Sequence, residues 1–313
     1  MKKFLLIAAA VVMSAVSVSA QDLAQATETY NNGAMELQMG NTAIAMEHFQ
    51  NALQMAEGLG DEAIDLVNNC KKAICTTSLS LAKDLYNAKD FDAAIEAFTK
   101  AKELSETYGE PDTAAEATDL IAQTWKLKYN TDAKAAMKSK DFATAIDLFK
   151  KVLDMEPDNG GTAIQLGQAY MKAGKMDEAL AAFETAKANG QERNAVKLIS
   201  NIYLMKAQGA LKTKNYQAVI DMAAKSNEAL ENANAYKLAA SAAQKLGKNS
   251  DCINFYEKYL EISPKAKDAS GVICTIAVLY QQSGNKEKAK EYYLKIENDP
   301  QFGATAKEQL KSL

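Results

Sequence analysis

The sequence predicts an all-α protein in which similar helical hairpins follow one another along the chain. Three observations predict this fold class: a residue triplet that recurs at helical spacing, a short turn upstream of the triplets, and a second helical stretch upstream of the turns. A single hairpin cannot bury its apolar face alone. Neighbouring hairpins are therefore expected to stack into a solenoid with one continuous interior.

The triplet consists of a small residue, an aromatic residue four positions later, and a small or aliphatic residue three positions beyond. Positions four and seven apart lie on one face of a helix, so each copy offers a small residue beside a ring that fills the gap to a neighbour. The clearest copies are Ala45-Phe49-Ala52, Ala94-Phe98-Ala101, Ala145-Phe149-Val152 and Ala179-Phe183-Ala186. Three weaker copies are Val219-Ala223-Ser226, Cys252-Tyr256-Tyr259 and Ala289-Tyr293-Ile296. The sequence thus predicts about seven repeats.

A first helix and a turn precede each triplet. The best example has Gly167, which allows close packing, Tyr170, which covers it, and Gly174, which suits the left-handed end of a helix. Comparable turns occur at residues 40–41, 88–91, 139–142, 213–216, 246–248 and 283–285. Each repeat is therefore predicted to be a helix-turn-helix hairpin.

The first two intervals between triplets are too long for a regular hairpin. The surplus residues lie beyond Asp61 and Asp112, which are good helix starts, and contain no proline or glycine up to about Asn87 and Lys138. We expect two first helices that are extended by about four turns each. Their packing is expected to bury six apolar side chains: Ile64, Val67, Ile74, Leu120, Ile121 and Trp125.

Some large side chains have two interpretations. The first interpretation of Trp125 is a core anchor of an extended helix, and the alternative is a ring that faces a ligand. Four methionines are interpreted as adaptable core residues, although methionine-rich grooves also accommodate varied partners: Met35, Met39, Met46 and Met55. At the carboxyl end, residues 301–313 follow Pro300 and are expected to form a capping helix with Ala306, Leu310 and Leu313 on one side.

The residues from 160 to 186 resemble the tetratricopeptide repeat family. The matching positions are Leu166, Gly167, Tyr170, Gly174, Ala179, Phe183 and Ala186. Two other repeats close with the family's proline, at Pro157 and Pro264, whereas the repeat containing residues 204–211 is degenerate. The resemblance covers nearly all of the chain after residue 20. It implies a right-handed superhelical solenoid of about seven repeats whose first helices line a concave face that binds a peptide segment or helix of a partner protein.

The resemblance also assigns residues to that lining. They are Asn130, Lys134, Met137 and Lys138 in one repeat, and Gln165, Gln168, Met171 and Lys172 in the next. Some family members hold a terminal carboxylate with a fixed set that includes an arginine, but no arginine follows in register here. We expect a mixed polar and apolar groove in which side-chain amides bond to the backbone of an extended segment. The alternative is that these residues are merely solvated.

The first twenty residues are expected to be a cleavable signal peptide. Lys2 and Lys3 precede an apolar run at residues 4–12, and small residues follow up to Ala20. A membrane anchor is the weaker interpretation, because a spanning helix needs roughly 20 apolar residues. The expected organisation is a signal at 1–20, a solenoid at 21–300 with long helices in 21–159 and regular repeats in 160–300, and the cap at 301–313. The expected location is the periplasm, with the outer-membrane periphery or secretion as alternatives, and no membrane-spanning segment in the mature chain.

Composition argues against several function classes. The chain has 36 basic and 40 acidic residues, and Arg193 is its only arginine, which argues against nucleic acid as a partner. His48 is the only histidine, and the cysteines form no CxxC pair, so neither a histidine-based triad nor a metal or cofactor site is predicted. A disulfide between Cys252 and Cys274 stays open.

The motifs and the composition bear on three possible functions. The first is a non-enzymatic interaction scaffold in the cell envelope. The second is a structural subunit of an oligomeric or membrane-associated complex that uses its long helices, for which an exposed apolar stripe on residues 61–87 or 112–138 would be diagnostic. The third, an enzyme, is disfavoured, because no nucleophile elbow, HExxH motif or phosphate-binding glycine loop is present.

Overall fold

The computed structural model describes residues 20–313, so the predicted signal peptide lies outside the described residues except for Ala20. Helices and the turns between them make up this part of the chain, which contains no β-strand. It divides into two compact units, an N-terminal unit up to Thr131 and a C-terminal unit from Asp132 to Leu313. The predicted division at residue 159, which rests on helix length, remains a prediction.

The N-terminal unit contains two hairpins and most of the next helix. Its helices are α1 (Ala20–Gln38), α2 (Thr42–Glu57), α3 (Ile64–Asn87), α4 (Phe91–Tyr108) and α5 (Pro111–Lys138), whose last residues belong to the C-terminal unit. A short 3-10 turn, Gly60–Ala63, leads into α3. Helices α3 and α5 are 24 and 28 residues long, which confirms the two extended first helices.

The C-terminal unit continues the alternation of first and second helices. Its helices are α6 (Phe142–Met155), α7 (Gly160–Lys172), α8 (Met176–Ala186), α9 (Glu192–Lys212), α10 (Tyr216–Ala229), α11 (Ala233–Lys245), α12 (Asn249–Ile262), α13 (Ala269–Gln282), α14 (Lys286–Lys295) and α15 (Gly303–Ser312). Consecutive helices pack as antiparallel pairs, and each pair packs against the next. The predicted cap is confirmed, since Ala306 of α15 is fully buried and Leu310 packs against the last hairpin.

Every turn between a first and a second helix contains one residue in the left-handed conformation. In four turns this residue is a glycine, for example Gly174 at φ 77°, and in three it is a lysine: Lys89, Lys140 and Lys214. The residue after each of these lysines caps the second helix, because its side-chain oxygen accepts a hydrogen bond from a backbone N–H of the first turn. Each of the three strained lysines is therefore followed directly by a residue whose side chain caps the second helix.

On every first helix except α9, a small residue stands sixteen positions before an aromatic residue of the second helix. Gly33 faces Phe49 and Gly167 faces Phe183, and a Cβ built on either glycine would lie within 3 Å of the ring. The other small and aromatic pairs at this spacing are fully or nearly fully buried: Ala82 with Phe98, Ala133 with Phe149, Ala240 with Tyr256, and Ala277 with Tyr293. This pairing holds each hairpin closed.

The repeat that was predicted to be degenerate keeps the same spacing of sixteen residues between its two helices. Ala207 and Ala223 stand at the small and aromatic places of that hairpin, and neither is exposed to solvent. Because residue 223 is an alanine and not an aromatic residue, no ring fills this position between α9 and α10. The departure from the family pattern therefore changes the filling of the hairpin and not its architecture.

The predicted burial on the long helices is correct in part. Val67 and Ile74 are buried, and Leu120, Ile121 and Trp125 are half-buried. Ile64 is 52% exposed, so its predicted burial is wrong. The buried stripe at that end of α3 instead begins at Ala63, the last residue of the 3-10 turn, and leaves Ile64 on the flank.

Two of the four methionines also differ from expectation. Met46 and Met55 are half-buried, but Met35 and Met39, near the end of α1, are 59% and 61% exposed, so they do not fill the core. The four cysteines are free thiols, with Cys274 half-buried and the others buried. Among the described helices, none combines the length and apolarity that crossing a bilayer requires.

Candidate functional site

The predicted lining residues on α7 lie on the side of the helix away from its buried stripe. Gln168 and Lys172 are exposed, and Gln165 and Met171 are half-buried. Met171 packs against the core cluster around Phe183 and is also partly accessible to solvent. This helix therefore presents amide, ammonium and thioether groups side by side.

The lining residues near the end of α5 follow the same pattern within the C-terminal unit. Lys134 and Lys138 are exposed, while Met137 is half-buried against the cluster around Ala133 and Phe149. Asn130 stands one turn earlier on α5, in the N-terminal unit, and is half-buried. The assignment of these residues to a partner-binding lining remains a prediction.

One buried polar atom of the C-terminal unit has no hydrogen-bond partner among the described residues. The Oε1 atom of Gln165 is shielded from solvent and accepts no hydrogen bond from the described residues, and the Oδ1 atom of Asn130 in the other unit is in the same condition. An unpaired buried carbonyl oxygen carries a desolvation cost of about 1–3 kcal/mol. A hydrogen bond donated to this oxygen would remove that cost.

The repeat spacing extends the site to helices that the sequence analysis did not assign. The positions equivalent to Gln168 are Gln208 on α9, Ser241 on α11 and Val278 on α13, because they stand at the same distance before the buried triplet residue of each repeat. Gln208 and Val278 are exposed and Ser241 is half-buried. The triplet spacing that predicted the repeats could also have identified these residues. We call the exposed and half-buried side chains of residues 132–138, α7, α9, α11 and α13 the first-helix face.

Carboxylates that approach the first helices of the C-terminal unit are already engaged. Glu257 of α12 accepts hydrogen bonds from the hydroxyls of Tyr280, at 3.1 Å, and Tyr292, at 2.7 Å. Asp268 pairs with Lys237 and accepts a 2.6 Å hydrogen bond from the hydroxyl of Tyr259. These bonds engage the carboxylates of Glu257 and Asp268 within the protein.

The pKa values around Asp268 follow from these contacts. The hydrogen bond from Lys237, followed by that from Tyr259, lowers the pKa of the Asp268 carboxyl. Burial, and then the hydrogen bond to Asp268, raises the pKa of Tyr259 to about 12. Asp268 is thus held as a carboxylate whose charge is compensated within the protein.

Aromatic and histidine side chains outside this face were also candidates. Trp125 stacks on Tyr129 within the N-terminal unit, with ring centroids 5.2 Å apart, and is half-buried, which leaves both of its interpretations open. His48 is half-buried beside Gly33, where α1 and α2 meet. Across residues 20–313, no three His, Cys, Asp or Glu side chains are arranged to hold a metal ion.

Comparison with known proteins gives matches to one repeat family. Two family models, both described as tetratricopeptide repeat, match residues 136–202 in one case and residues 233–265 and 271–297 in the other. A search of curated proteins finds no match to the chain.

Solved structures similar to this chain include MamA and YrrB. A crystal structure of MamA is 22% identical, with 58% of this chain and 94% of that chain covered and a TM-score of 0.34. YrrB, described as a TPR protein with an unusual peptide-binding site, is 18% identical, with 63% of this chain and 97% of that chain covered and a TM-score of 0.33.

Proposed function

Since the chain carries tetratricopeptide repeats, we propose that it is a non-enzymatic scaffold that binds a segment of a partner protein on the first-helix face. Stacked hairpins bury one flank of each first helix and leave the other flank available. In the C-terminal unit that flank combines exposed amides and ammonium groups with half-buried methionines. Such a surface suits an extended segment that offers both backbone groups and apolar side chains.

The unpaired Oε1 atom of Gln165 is the observation that carries this proposal. A buried polar group without a partner is uncommon in folded proteins and calls for a physical reason. When the Gln165 side chain turns outwards from its shielded position, a backbone N–H of a bound segment would donate to this oxygen and remove the cost of leaving it unpaired. Gln168 lies three residues further along α7, on the adjacent exposed surface, where a second amide could contact the same segment.

The proposed location is the cell envelope, with the periplasm as the compartment. The support is the amino-terminal pattern of Lys2, Lys3, an apolar run at residues 4–12 and small residues up to Ala20. A peripheral association with an envelope complex is compatible with this proposal.

The alternative role as a structural subunit has less support. It called for an apolar stripe along the long helices, but the large apolar side chains exposed on α3 and α5 are Ile64 and Leu127. These two residues lie on different helices and form no continuous stripe on either one. The first-helix face is therefore the better candidate for partner binding.

Affinity capture from an envelope extract tests the proposal. The mature chain is compared with a variant in which Lys134, Gln168 and Lys172 are all replaced by alanine. A matched control replaces Lys150, Asn254 and Lys290, which are exposed on second helices. We expect one protein to be retained by the mature chain and by the control but lost from the Lys134, Gln168 and Lys172 variant.

Two results would count against the proposal. Loss of the captured protein from the control alone would assign binding to the second helices. Equal capture by all three chains would remove the first-helix face from the interaction. Circular dichroism of both variants shows whether the helical content of the native chain is retained, so that unfolding is not mistaken for lost binding.

A further inference from the structure

The charges of the C-terminal unit are segregated by helix. The first helices α7, α11 and α13 contain no aspartate or glutamate, α9 contains only Glu192, in its first turn, and residues 132–138 of α5 contain only Asp132. The second helices carry the carboxylates, for example Asp147 on α6 and Glu178 on α8. This segregation occurs in a chain whose formal net charge is −4. The first-helix face of the C-terminal unit therefore has a positive net charge, opposite in sign to the net charge of the whole protein.

Helix dipoles account for part of this pattern. The partial negative charge at a helix carboxyl terminus favours cations in the last turn, and α5, α7, α9 and α11 each have a lysine there. First turns do not distinguish the two kinds of helix, because second helices α6 and α10 lack acidic residues there, as α7, α11 and α13 do. The contrast lies in the rest of each helix, where α6, α8 and α10 carry carboxylates and α7, α11 and α13 carry none.

Four lysines occupy the same place on four consecutive first helices. They stand seven residues before the buried triplet residue of each repeat and form what we call the lysine row: Lys138, Lys172, Lys212 and Lys245. All four are exposed, and none has an ion pair with any residue from 20 to 313. Two other lysines of the first helices are paired internally, Lys206 with Asp177 and Lys237 with Asp268.

Apolar residues accompany most of the lysine row. Met137, Met171 and Leu211 immediately precede the first three lysines, and each is half-buried. A ligand that follows the row therefore meets an ammonium group and an apolar side chain at each of these repeats. First helices α9 and α11 are in contact, and helices in contact lie about 8–10 Å apart. A segment in the polyproline II conformation advances about 3.1 Å per residue with three residues per turn, so every third side chain lies on the same side. The row thus matches carboxylates placed at roughly every third residue of an extended segment.

We propose that the lysine row binds an extended, acidic polypeptide segment in which a carboxylate recurs at about every third residue, next to an apolar residue. This inference rests on the proposed function and names the chemistry of its partner. Each free ammonium group would pair with one carboxylate of the segment, and the adjacent methionine or leucine would contact an apolar neighbour. Lysine is a compact, hydrated cation, whereas planar recognition of phosphate favours arginine, which the row lacks. The row therefore fits an acidic peptide better than nucleic acid.

A synthetic peptide of about 12 residues tests this inference, since that length spans the row when extended. The probe repeats Ser-Leu-Glu and carries a fluorescent label, and the comparison peptide repeats Ser-Leu-Gln. Binding to the mature chain is measured by fluorescence anisotropy at low salt and at about 0.3 M salt, where the Debye length is below about 6 Å. We expect the glutamate peptide to bind at least about tenfold more tightly than the glutamine peptide at low salt, and to lose most of that advantage in high salt.

Matched charge reversals locate the binding surface. One variant replaces the four residues of the lysine row by glutamate, and the control replaces four exposed lysines elsewhere in the C-terminal unit: Lys150, Lys265, Lys290 and Lys307. The two variants have the same net charge. We expect the row variant to lose the glutamate peptide and the control to keep most of its affinity. A row variant with glutamine in place of glutamate repeats the test without adding negative charge to helix ends.

The outcomes separate this inference from the proposed function. Equal binding of the two peptides, or equal loss in both reversal variants, overturns the acidic-segment inference. If the native partner is still lost from the Lys134, Gln168 and Lys172 variant in that case, the scaffold function stands. Binding of phosphatidylglycerol vesicles that depends on the row, without peptide binding, would overturn the inference in favour of an anionic membrane surface.

Discussion

A Cβ atom built on Gly167 would lie 2.4 Å from Cε1 of Phe183. This is shorter than any stable contact between carbon atoms, so the ring occupies the space that a side chain on α7 would need. The same relationship joins Gly33 to Phe49. The small residue on the first helix and the ring on the second helix are therefore one packing unit, repeated along the chain.

Replacement of Gly167 by alanine is expected to destabilise the protein by about 1–3 kcal/mol, because the fully buried Phe183 ring has no room to move away. Thermal or urea unfolding measures this change. Gly209 provides the matched control, since it is exposed within α9 and a Cβ there would meet nothing within 4 Å. Gly209→Ala should stabilise by up to about 1 kcal/mol, because alanine favours the helix. Equal effects of the two substitutions would contradict the packing of Gly167 on Phe183.

The turn lysines provide a second pair of opposite predictions. Lys140 has φ 63°, a conformation that costs a non-glycine residue about 1 kcal/mol, whereas Gly174 has φ 77° at the equivalent place of the next hairpin. Lys140→Gly should raise the free energy of unfolding by up to about 1 kcal/mol, and Gly174→Lys should lower it by a similar amount. Unfolding curves of the two variants check this prediction. Destabilisation by Lys140→Gly would show that the lysine side chain contributes more than its backbone strain costs.

The buried thiols predict a loss of stability at alkaline pH. Burial raises the pKa of Cys70 and Cys252 from 9.0 to about 11, so the native state retains their protons more strongly than the unfolded state does. Their contribution is therefore complete below pH 9 and is lost as pH rises towards 11. The melting temperature should fall across this interval, and it should fall less in a variant with alanine at both positions. An equal fall in both chains would assign the effect to other groups, such as the buried tyrosines.

Thiol titration tests the open question of the disulfide. The structure has four free cysteines, of which Cys274 is half-buried and the others are buried. In the folded protein, a thiol reagent at about pH 8 should react first with Cys274 and only slowly with the rest. The denatured chain should react at all four. Two reactive thiols after denaturation would instead indicate a bond between two of the cysteines, and peptide mapping would show whether it joins Cys252 to Cys274.

The export proposal predicts a new amino terminus. When the full chain is expressed in a bacterium with a Sec system, we expect the mature protein to begin at Gln21, because small residues up to Ala20 form the cleavage region. Intact mass measurement of the protein from the periplasmic fraction checks this. A chain without residues 2–20 should stay in the cytoplasm. An uncleaved chain in the cytoplasmic fraction would contradict the proposal.

The repeat architecture could be predicted because its signals are local and recur. Ala179, Phe183 and Ala186 stand at helical spacing, and the same spacing returns in other hairpins, so each copy supports the others. The long helices were predictable because no proline or glycine interrupts them. Ile64 was misassigned because burial at a helix end depends on the angle at which the preceding turn enters, which the spacing of apolar residues does not define.

The candidate face was harder to predict because exposed positions carry no packing signal. The equivalents of Gln168 on α9 and α11 differ in residue type, Gln208 and Ser241, and are recognised only once the hairpins are aligned by their buried residues. The absence of carboxylates from first helices likewise becomes visible only after each helix is assigned to its place in a hairpin. The unpaired oxygen of Gln165 depends on side-chain packing that no sequence pattern describes.

Site-specific photo-crosslinking tests the central claim most directly, namely that first helices and not second helices hold the partner. A photoreactive residue is placed at Gln168 on α7 or at Ala181 on α8, two exposed positions of the same hairpin. Irradiation in cells should yield a cross-linked partner from position 168 and none from position 181. A cross-link from position 181 alone, or no cross-link from either position while the partner is still captured, would contradict the account.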